Sequence, residues 1–240
     1  MTTGTTQKTD ADSPDVVALL LAGGAGLRAE QGGPKQLVVL PNGSTVLEHA
    51  VEVFLSHARV DRVVVVVSAD LVDRAAEMMP RVTVVAGGST RQSSAAAGLA
   101  MVDDAAWVLI HDVARPFVPP AVIDRCLDAL STHEAVGTVL ASIDTVYRVR
   151  PDGEGILDVL DRATLRRAQT PQAFRAQVIK DAHDRAAQAG GDLTDDCSVV
   201  AMHRPDVSIA LVPGDERNIK LTTAADFAGV RGDQGRGPVT

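Results

Sequence analysis

The sequence predicts an α/β protein with a doubly wound, mostly parallel sheet. Two features of the 240-residue chain indicate this class. Short, unbroken runs of Val, Leu and Ile recur along the chain, as is typical of strands that are buried on both faces. The segments between these runs have the spacing of amphipathic helices. Hydrophobic residues make up 45% of the chain and aromatic residues only 2%, so we expect a large core built from aliphatic side chains.

The apolar runs and the segments between them define the predicted elements in order. The first strand, residues 16–22, leads into Gly23 and Gly24, and the second, residues 62–68, contains five consecutive valines. The other predicted strands are residues 82–86, 107–111, 136–141 and 207–212. The predicted helices are residues 46–56, 71–79, 93–101, 121–132 and 176–189. This alternation is typical of a single sheet with helices on both faces.

The domain is predicted to span residues 14–228, between polar tails at 1–13 and 229–240 that we expect to be disordered. Residues 145–160 interrupt the alternation, because two short strands flank the turn-forming residues 151–155. Isolated hairpins are only marginally stable. We therefore interpret this hairpin as an inserted arm that a homodimer partner covers. A hairpin folded back on its own domain is the alternative.

The net charge and the cysteine content of the chain limit the kinds of binding partner and the cellular location that we expect. A formal net charge of −8 disfavours a nucleic-acid-binding surface, although a few Arg and Lys residues still suffice for a nucleotide site. The two cysteines, Cys126 and Cys197, are too few for a disulfide framework or a metal cluster. No run approaches the ~20 apolar residues of a membrane span. We expect a soluble cytoplasmic protein without a nucleic-acid or membrane partner.

A glycine-rich loop follows the first predicted strand. Ligands of open α/β sheets bind at the carboxyl ends of strands, and glycines let backbone N–H groups approach an anion closely. The loop residues with this role are Ala22, Gly23, Gly24 and Gly26. Arg28 and Lys35 follow, and they supply the positive charge that a triphosphate and its reacting α-phosphorus require. The loop matches neither the P-loop nor the dinucleotide-binding fingerprint.

This loop resembles the signature of the sugar-phosphate nucleotidyltransferases, and later segments narrow the resemblance. These segments are 87–94 with Gly98-Leu99, 111–116, Asp144-Thr145, Asp161-Arg162, Thr170-Pro171-Gln172, Thr194-Asp195-Asp196 and Asn218-Ile219-Lys220. Their order, over residues 16–227, resembles the 2-C-methyl-D-erythritol 4-phosphate cytidylyltransferase family of the non-mevalonate isoprenoid pathway. The resemblance implies a Rossmann-like nucleotidyltransferase fold. It also implies transfer of CMP from CTP to a small polyol phosphate, with Mg²⁺ or another divalent cation as cofactor.

The resemblance also implies three groups of site residues. The catalytic residues would be Arg28, Lys35, Arg162 and Lys220. The residues that bind CTP would be Ala22, Gly23, Gly24, Gly26, Gly88, Ser89 and Ser94. The residues that bind the acceptor would be Asp112, Arg115, Thr145 and Thr170, and Asp112 would also hold the metal. Arg162, at the base of the predicted arm, would clamp the acceptor phosphate, so the arm of one subunit would complete the site of the other.

Several of these residues have structural alternatives. Ser94 has the residue type of a helix N-cap, and Arg115 has a possible ion-pair partner in Asp112. The aspartates of 194–196 either orient Lys220 or Arg162, or they cap a helix over residues 197–203. His111 is expected to be structural, because an attacking phosphate is already ionised and needs no base.

Other functions remain open from the sequence. A ribitol 5-phosphate cytidylyltransferase would share the CTP half and differ in the acceptor pocket. A non-catalytic nucleotide-binding module is disfavoured by the full set of expected charged residues. A dinucleotide-dependent oxidoreductase is excluded because Leu27-Arg28 follow Gly26 where its fingerprint needs a further glycine. The chain departs from the family pattern at Leu27, Ser89 and Val113, which affects the expected base contacts most.

Overall fold

The computed structural model of the protein describes residues 14–23 and 34–232. The strands in this part of the chain are β1 Val16–Leu21, β2 Arg62–Val67, β3 Thr83–Ala86, β4 Trp107–Asp112, β5 Ala135–Ala141, β6 Val146–Val149, β7 Ile156–Leu160, β8 Arg166–Arg175 and β9 Ile209–Pro213. The α-helices are α1 Val46–Leu55, α2 Val72–Met78, α3 Arg91–Leu99, α4 Pro120–Leu130, α5 Ala176–Ala189, α6 Asp196–His203 and α7 Ala224–Gly232. Short 3-10 helices lie at Lys35–Leu37, Ala69–Leu71 and Arg162–Thr164. No helix among the described residues has the length and apolar character that crossing a membrane requires.

The main sheet has seven strands in the order β3-β2-β1-β4-β8-β5-β9. In this sheet β8 runs antiparallel to both of its neighbours, β4 and β5, and every other pairing is parallel. The predicted doubly wound, mostly parallel α/β class is therefore confirmed. Since β1, β2, β3 and β4 point the same way, their carboxyl ends meet at one edge of the sheet, where ligands of such sheets bind.

Both faces of β1, β2 and β4 are buried, as their unbroken apolar runs predicted, whereas the edge strands β3 and β9 are only partly buried. Alternate residues of β1 face opposite sides, so Val16, Ala18 and Leu20 join one core cluster while Val17 and Leu19 join the other. Helices α1, α2, α4 and α7 cover the first face, and α3, α5 and α6 cover the second. The helices pack their apolar sides against this sheet. This packing holds the strands, and therefore the residues at their ends, in fixed positions.

Local side-chain signals set the helix starts. The hydroxyl of Thr45 accepts from the Glu48 N–H and the Glu48 side chain accepts in return, a capping box that begins α1. Thr90 and Ser93 form the same arrangement at the start of α3. The N-cap alternative for Ser94 is therefore wrong, because Thr90 caps the helix and Ser94 lies one turn further on.

Two elements were not predicted from the sequence. Strand β8 carries buried polar residues, among them Gln169, Thr170 and Gln172, in place of an apolar run. Hydrogen bonds across the sheet satisfy these side chains; Gln172, for example, donates to Asp195 at 2.7 Å. Helix α7 runs to Gly232 and so continues past the predicted domain boundary at residue 228. The predicted tail at 1–13 and residues 233–240 of the predicted C-terminal tail lie outside the described residues.

Residues 145–160 contain the predicted pair of strands. β6 and β7 pair with each other in a separate two-stranded antiparallel sheet. Three apolar side chains of this hairpin, Tyr147, Val149 and Val159, are each more than half exposed. The hairpin is therefore an arm whose apolar surface the described part of the same chain does not cover.

Candidate active site

A cleft of about 230 Å³ opens at the carboxyl edge of the sheet. The ends of β1 and β4 form its floor, and the start of α3 and the segment around Lys220 contribute to its sides. Among the described residues that line it, the side chains charged at neutral pH are Lys35, Arg91, Asp112 and Lys220. Arg91 also pairs with the buried Asp196, so two carboxylates face three cations, and the remaining positive charge favours an anionic ligand despite the negative net charge of the chain.

Asp112, the last residue of β4, is the carboxylate of the cleft. One of its oxygens, Oδ2, accepts a hydrogen bond from Lys220 Nζ at 2.8 Å, and Oδ1 accepts one from Arg91 Nε at 3.2 Å. Burial by itself would raise the pKa of Asp112, but the positive charges of Arg91 and Lys220 outweigh it and lower the pKa to about 2. Asp112 is therefore ionised at every physiological pH.

Lys35 opens the 3-10 helix Lys35–Leu37 and lines the same cleft. Its ammonium donates to the main-chain carbonyl oxygen of Thr222, just before α7. Lys35 and Lys220 thus line the same cavity, as they must if both are to bind the phosphates of one ligand. The predicted loop residues Gly24, Gly26 and Arg28 lie outside the described residues.

His111, on the buried side of the cleft, supports Asp112 through the hydroxyl of Thr170. This ring is fully buried, and burial lowers its pKa to about 4, so it is neutral. Nε2 lies 2.9 Å from the carbonyl oxygen of Arg115 and therefore carries the proton, which leaves Nδ1 to accept from the Thr170 hydroxyl at 3.0 Å. The same hydroxyl oxygen accepts from the Asp112 N–H at 3.1 Å. Both ring nitrogens are thus occupied within the protein, in agreement with a structural role for His111.

Residues that are distant in the sequence converge beside this network. The Asn218 side chain donates to the carbonyl oxygen of Thr170 at 2.7 Å, which fixes the segment that carries Lys220. Arg115 donates to the carbonyl oxygen of Asn218 at 2.9 Å and to that of Ala168 at 3.3 Å. The proposed ion pair between Arg115 and Asp112 is therefore replaced by hydrogen bonds to main-chain carbonyl oxygens. The buried Thr170 hydroxyl is engaged with His111 and Asp112, so it orients the site from below the surface of the cleft.

Those expected nucleotide-binding residues that the structure describes lie close together, at the ends of β1 and β3 and the start of α3. A side chain at Gly87 would place its Cβ 2.7 Å from Ser94 Oγ, and one at Gly23 would place it 3.3 Å away. The Ser94 hydroxyl donates to the carbonyl oxygen of Thr90 at 2.8 Å. Glycine is thus needed for the close approach of backbone segments here. Gly88 and Ser89, on the loop before α3, are exposed and open to a ligand.

The expected acceptor residues on the arm lie apart from this cleft. Thr145 and Arg162 are exposed, and neither lines the cavity. The Arg162 guanidinium donates to the carbonyl oxygen of Ile143 at 2.9 Å, at the base of the arm. Within one chain the structure therefore does not bring Thr145 and Arg162 together with Lys35 and Lys220, because the arm is a separate sheet.

Three charged residues of this region, Arg91, Asp195 and Asp196, either had no role assigned from the sequence or had two alternative roles. Arg91 belongs to a segment that resembled the family motif, and its position in that motif was the signal that pointed to it. The structure places its guanidinium between the carboxylates of Asp112 and Asp196, with Nη2 2.8 Å from Asp196 Oδ2. Asp195 accepts from the Ser198 N–H at 2.9 Å and caps α6. The aspartates of 194–196 therefore cap a helix and pair with Arg91, and among the described residues of the chain neither contacts Lys220 or Arg162.

Comparisons with known proteins identify the family of the chain. The family model of IspD, 2-C-methyl-D-erythritol 4-phosphate cytidylyltransferase, matches residues 16–231. A relative of that name from Thermobifida fusca is 41% identical over 228 residues, which cover 90% of this chain and 91% of the relative. A bifunctional enzyme IspD/IspF from Rhizorhabdus wittichii is 44% identical over 218 residues, and the match covers 89% of this chain but only 55% of that longer protein.

Solved structures give the same answer. The 4-diphosphocytidyl-2C-methyl-D-erythritol synthase of Anaerococcus prevotii superposes with a TM-score of 0.82 at 27% identity, covering 93% of this chain and 97% of that one. The 2-C-methyl-D-erythritol 4-phosphate cytidylyltransferase of Thermus thermophilus superposes with a TM-score of 0.73 at 29% identity, covering 90% and 97% of the two chains. Sequence, fold and cleft together show that the chain belongs to the 2-C-methyl-D-erythritol 4-phosphate cytidylyltransferase family.

Proposed function

We propose that the protein transfers the cytidylyl group of CTP to 2-C-methyl-D-erythritol 4-phosphate and releases pyrophosphate. The observation that carries this proposal is the cationic cleft around Asp112, at the carboxyl edge of the sheet, in a chain that belongs to this family. The cleft suits the triphosphate, and the glycine-lined ends of β1 and β3 beside it suit a flat base and ribose.

The chemistry that this site supports is an in-line displacement at the α-phosphorus. A phosphate oxygen of the acceptor forms the new P–O bond while the bond to pyrophosphate breaks. The attacking phosphate is already ionised, so the reaction needs no base, and His111 has no free nitrogen to act as one. Lys35 and Lys220 neutralise the charge that builds up on the phosphates, and the protein acts by positioning and electrostatics.

The residues of the cleft fit a Mg²⁺ ion bound together with the nucleotide. Mg²⁺ is usually held by one or two carboxylates and by substrate phosphates, and ionised Asp112 provides one such carboxylate. No cluster of three or more His, Cys, Asp or Glu side chains in the described part of the chain forms a metal site by itself. When bound, the ion would supply charge neutralisation across the phosphates, with Asp112 as its protein ligand.

We also propose a homodimer in which the arm of one subunit covers its partner. The support is the half-exposed apolar face of the arm, with Tyr147, Val149 and Val159 on the same side of the two strands. Arg162 and Thr145 lie at the base of this arm. Docking of the arm would bring them to the acceptor phosphate of the partner's cleft.

A cytoplasmic location is proposed on the state of the two cysteines. Cys126 and Cys197 are both free, and burial raises the pKa of each thiol, that of Cys126 to about 11. Reduced, unreactive thiols suit a reducing compartment. Cell fractionation of the tagged protein in its native host tests the location, and recovery outside the cytoplasm would contradict it.

Pyrophosphate release from CTP tests the proposed activity. We expect turnover with 2-C-methyl-D-erythritol 4-phosphate and Mg²⁺, and about a 10- to 100-fold lower kcat/KM with ribitol 5-phosphate, which is the modest discrimination that a pocket fitted to a methyl group achieves against an added hydroxyl. Arg162→Ala should raise the KM for the acceptor and leave the KM for CTP unchanged, with Arg150→Ala on the same arm as the control. Preference for ribitol 5-phosphate, or no turnover with either acceptor, would overturn the proposal.

A further inference from the structure

A row of hydrogen-bonded and ion-paired side chains runs from the cleft into the interior between α3, α5 and α6. Arg91 Nε donates to Asp112 Oδ1 at 3.2 Å, and Arg91 Nη2 lies 2.8 Å from Asp196 Oδ2. On the other side of that carboxylate, His183 Nε2 lies 3.0 Å from Asp196 Oδ1. A carboxylate oxygen only accepts, so His183 Nε2 is the donor. The row is therefore Asp112, Arg91, Asp196 and His183, in that order.

The far end of this row is completely buried. The side chain of Asp196 is 0% exposed and that of His183 is 3% exposed. A buried carboxylate is costly unless it is paired and hydrogen-bonded. Burial by itself would raise the pKa of Asp196, but the hydrogen bond from His183 and the charge of Arg91 outweigh it and lower that pKa. Asp196 is thus a fixed negative charge one guanidinium away from the cleft.

The Nδ1 atom of His183 adds a second observation. It is buried and has no hydrogen-bond partner among the described residues. Unsatisfied buried polar atoms are uncommon and lower the stability of the fold. A buried charge and an unsatisfied nitrogen side by side are difficult to explain by stability alone, because apolar residues of similar volume would fill the same space at no such cost.

We propose that Arg91, Asp196 and His183 are positioning residues for Asp112. His183 orients Asp196, Asp196 holds the plane of the Arg91 guanidinium, and Arg91 fixes Asp112 Oδ1. Oδ2 is thereby left facing the cleft, where it accepts the hydrogen bond from Lys220. The inference rests on the proposed function, since it assigns these residues to the same reaction. Partners behind the groups of a reacting site typically contribute about 10- to 100-fold to activity.

A double-mutant cycle tests the inference. Asp196→Asn preserves the side-chain shape and removes the charge, and we expect kcat to fall by about 10- to 100-fold while the KM for CTP changes little. In an Asp112→Asn background the same substitution should change kcat by less than about twofold, because the carboxylate that it positions is already gone. Asp206→Asn, which removes an exposed partner of Arg204 at the other end of α6, is the matched control and should leave kcat unchanged.

The outcomes separate this inference from the proposed function. Equal losses of kcat in the wild-type and Asp112→Asn backgrounds, or an unchanged kcat in Asp196→Asn, would overturn the positioning role. If Asp196→Asn does not fold, Arg91→Lys enters the same cycle, because it keeps the charge and cannot reach both carboxylates. NMR of the Arg91 Nε–H provides a readout independent of activity, and we expect slow exchange in the wild type and fast exchange in Asp196→Asn. Slow exchange with no CTP turnover would refute the proposed function alone.

Discussion

At the scale of single residues, the cleft depends on positive charges held without full pairing. Arg91 is paired with both Asp112 and Asp196, but Lys220 shares Asp112 with Arg91, and Lys35 is held only by the carbonyl oxygen of Thr222 among the described residues. A carbonyl dipole does not cancel the charge of an ammonium. Lys35 is thus the cation of the cleft that can most readily exchange its present partner for an incoming phosphate.

Replacing Lys35 should therefore separate catalysis from folding. We expect Lys35→Ala to lower kcat/KM by about 10²–10³-fold, the usual loss when one group that stabilises the developing charge is removed. The free energy of unfolding should change little, because the Lys35 side chain contributes no buried contact to the core. Steady-state pyrophosphate release and urea denaturation measure the two quantities. Lys180→Ala removes a lysine that pairs with Asp104 and serves as the control; equal activity of the two variants would contradict the assignment.

The buried His111 predicts an acid-labile fold. Its pKa is about 4 in the folded protein, against 6.5 for an ordinary His, so between these values only the unfolded chain takes up the proton. Stability is then complete above pH 6.5 and is lost as the pH falls towards 4. Between pH 7 and pH 4.5 this one group should cost about 2–3 kcal/mol. The pKa of the partly buried His49 is also lowered by burial and adds to the same trend.

Urea denaturation at both pH values checks this expectation in the wild type and in His111→Gln. The variant should be less stable at pH 7, because glutamine does not fill the space of the ring against Phe54, which lies 5.0 Å from it between centroids. Its further loss between pH 7 and pH 4.5 should be smaller than that of the wild type by about 2–3 kcal/mol. An identical acid loss in both proteins would show that His111 is not the group responsible.

At the scale of elements, helix α3 brings Arg91 to the cleft and must lie very close to the sheet. A Cβ at Gly98 would be 2.2 Å from Leu19 Cδ1 and 2.8 Å from Val66 Cγ2, both in the core. Gly98→Ala should therefore destabilise the protein by a net of about 1–2 kcal/mol, since overpacking outweighs the gain in helix propensity. Gly229→Ala in α7, where no atom of the described residues lies within 4 Å of the added carbon, should be neutral or stabilising. Comparable stability of the two variants would refute the close-packing argument.

Strand β8 is the strand that the hydrophobic pattern of the sequence did not predict. Its central residues are polar, and the apolar-run criterion that correctly predicted β1 and β2 does not recognise such a strand. Because β8 lies between β4 and β5, it connects sequence motifs that are far apart in the chain. Thr170 is hydrogen-bonded to His111 and Asp112 on β4, and Gln172 is hydrogen-bonded to the start of α6. Whether a buried polar residue is satisfied depends on partners far away in the sequence, so periodicity cannot reveal it.

At the scale of the whole molecule, the separate arm predicts that assembly and activity are linked. Val159→Asp places a charge on the apolar face of the arm, where Tyr147 is its cross-strand partner. We expect this variant to sediment as a monomer at concentrations where the wild type is a dimer, with a raised KM for the acceptor. The control is Asp158→Asn, because neighbouring strand residues face opposite sides. A monomeric wild type of normal activity would contradict the arm-mediated dimer.

The sequence alone determined the fold class, most strands and helices, the family and three of the charged residues that line the cleft, Lys35, Asp112 and Lys220. Those features follow from local periodicity and from short motifs, which can be recognised in the sequence without knowing which segments contact each other in the fold. Only the tertiary structure decided that Arg115 binds main-chain carbonyl oxygens, that Arg91 joins Asp112 to Asp196, and that the arm residues lie apart from the cleft. Such pairings depend on distances between segments as much as a hundred residues apart in sequence, as for Arg115 and Asn218 with a separation of 103, and these distances are set by the packing of the whole sheet.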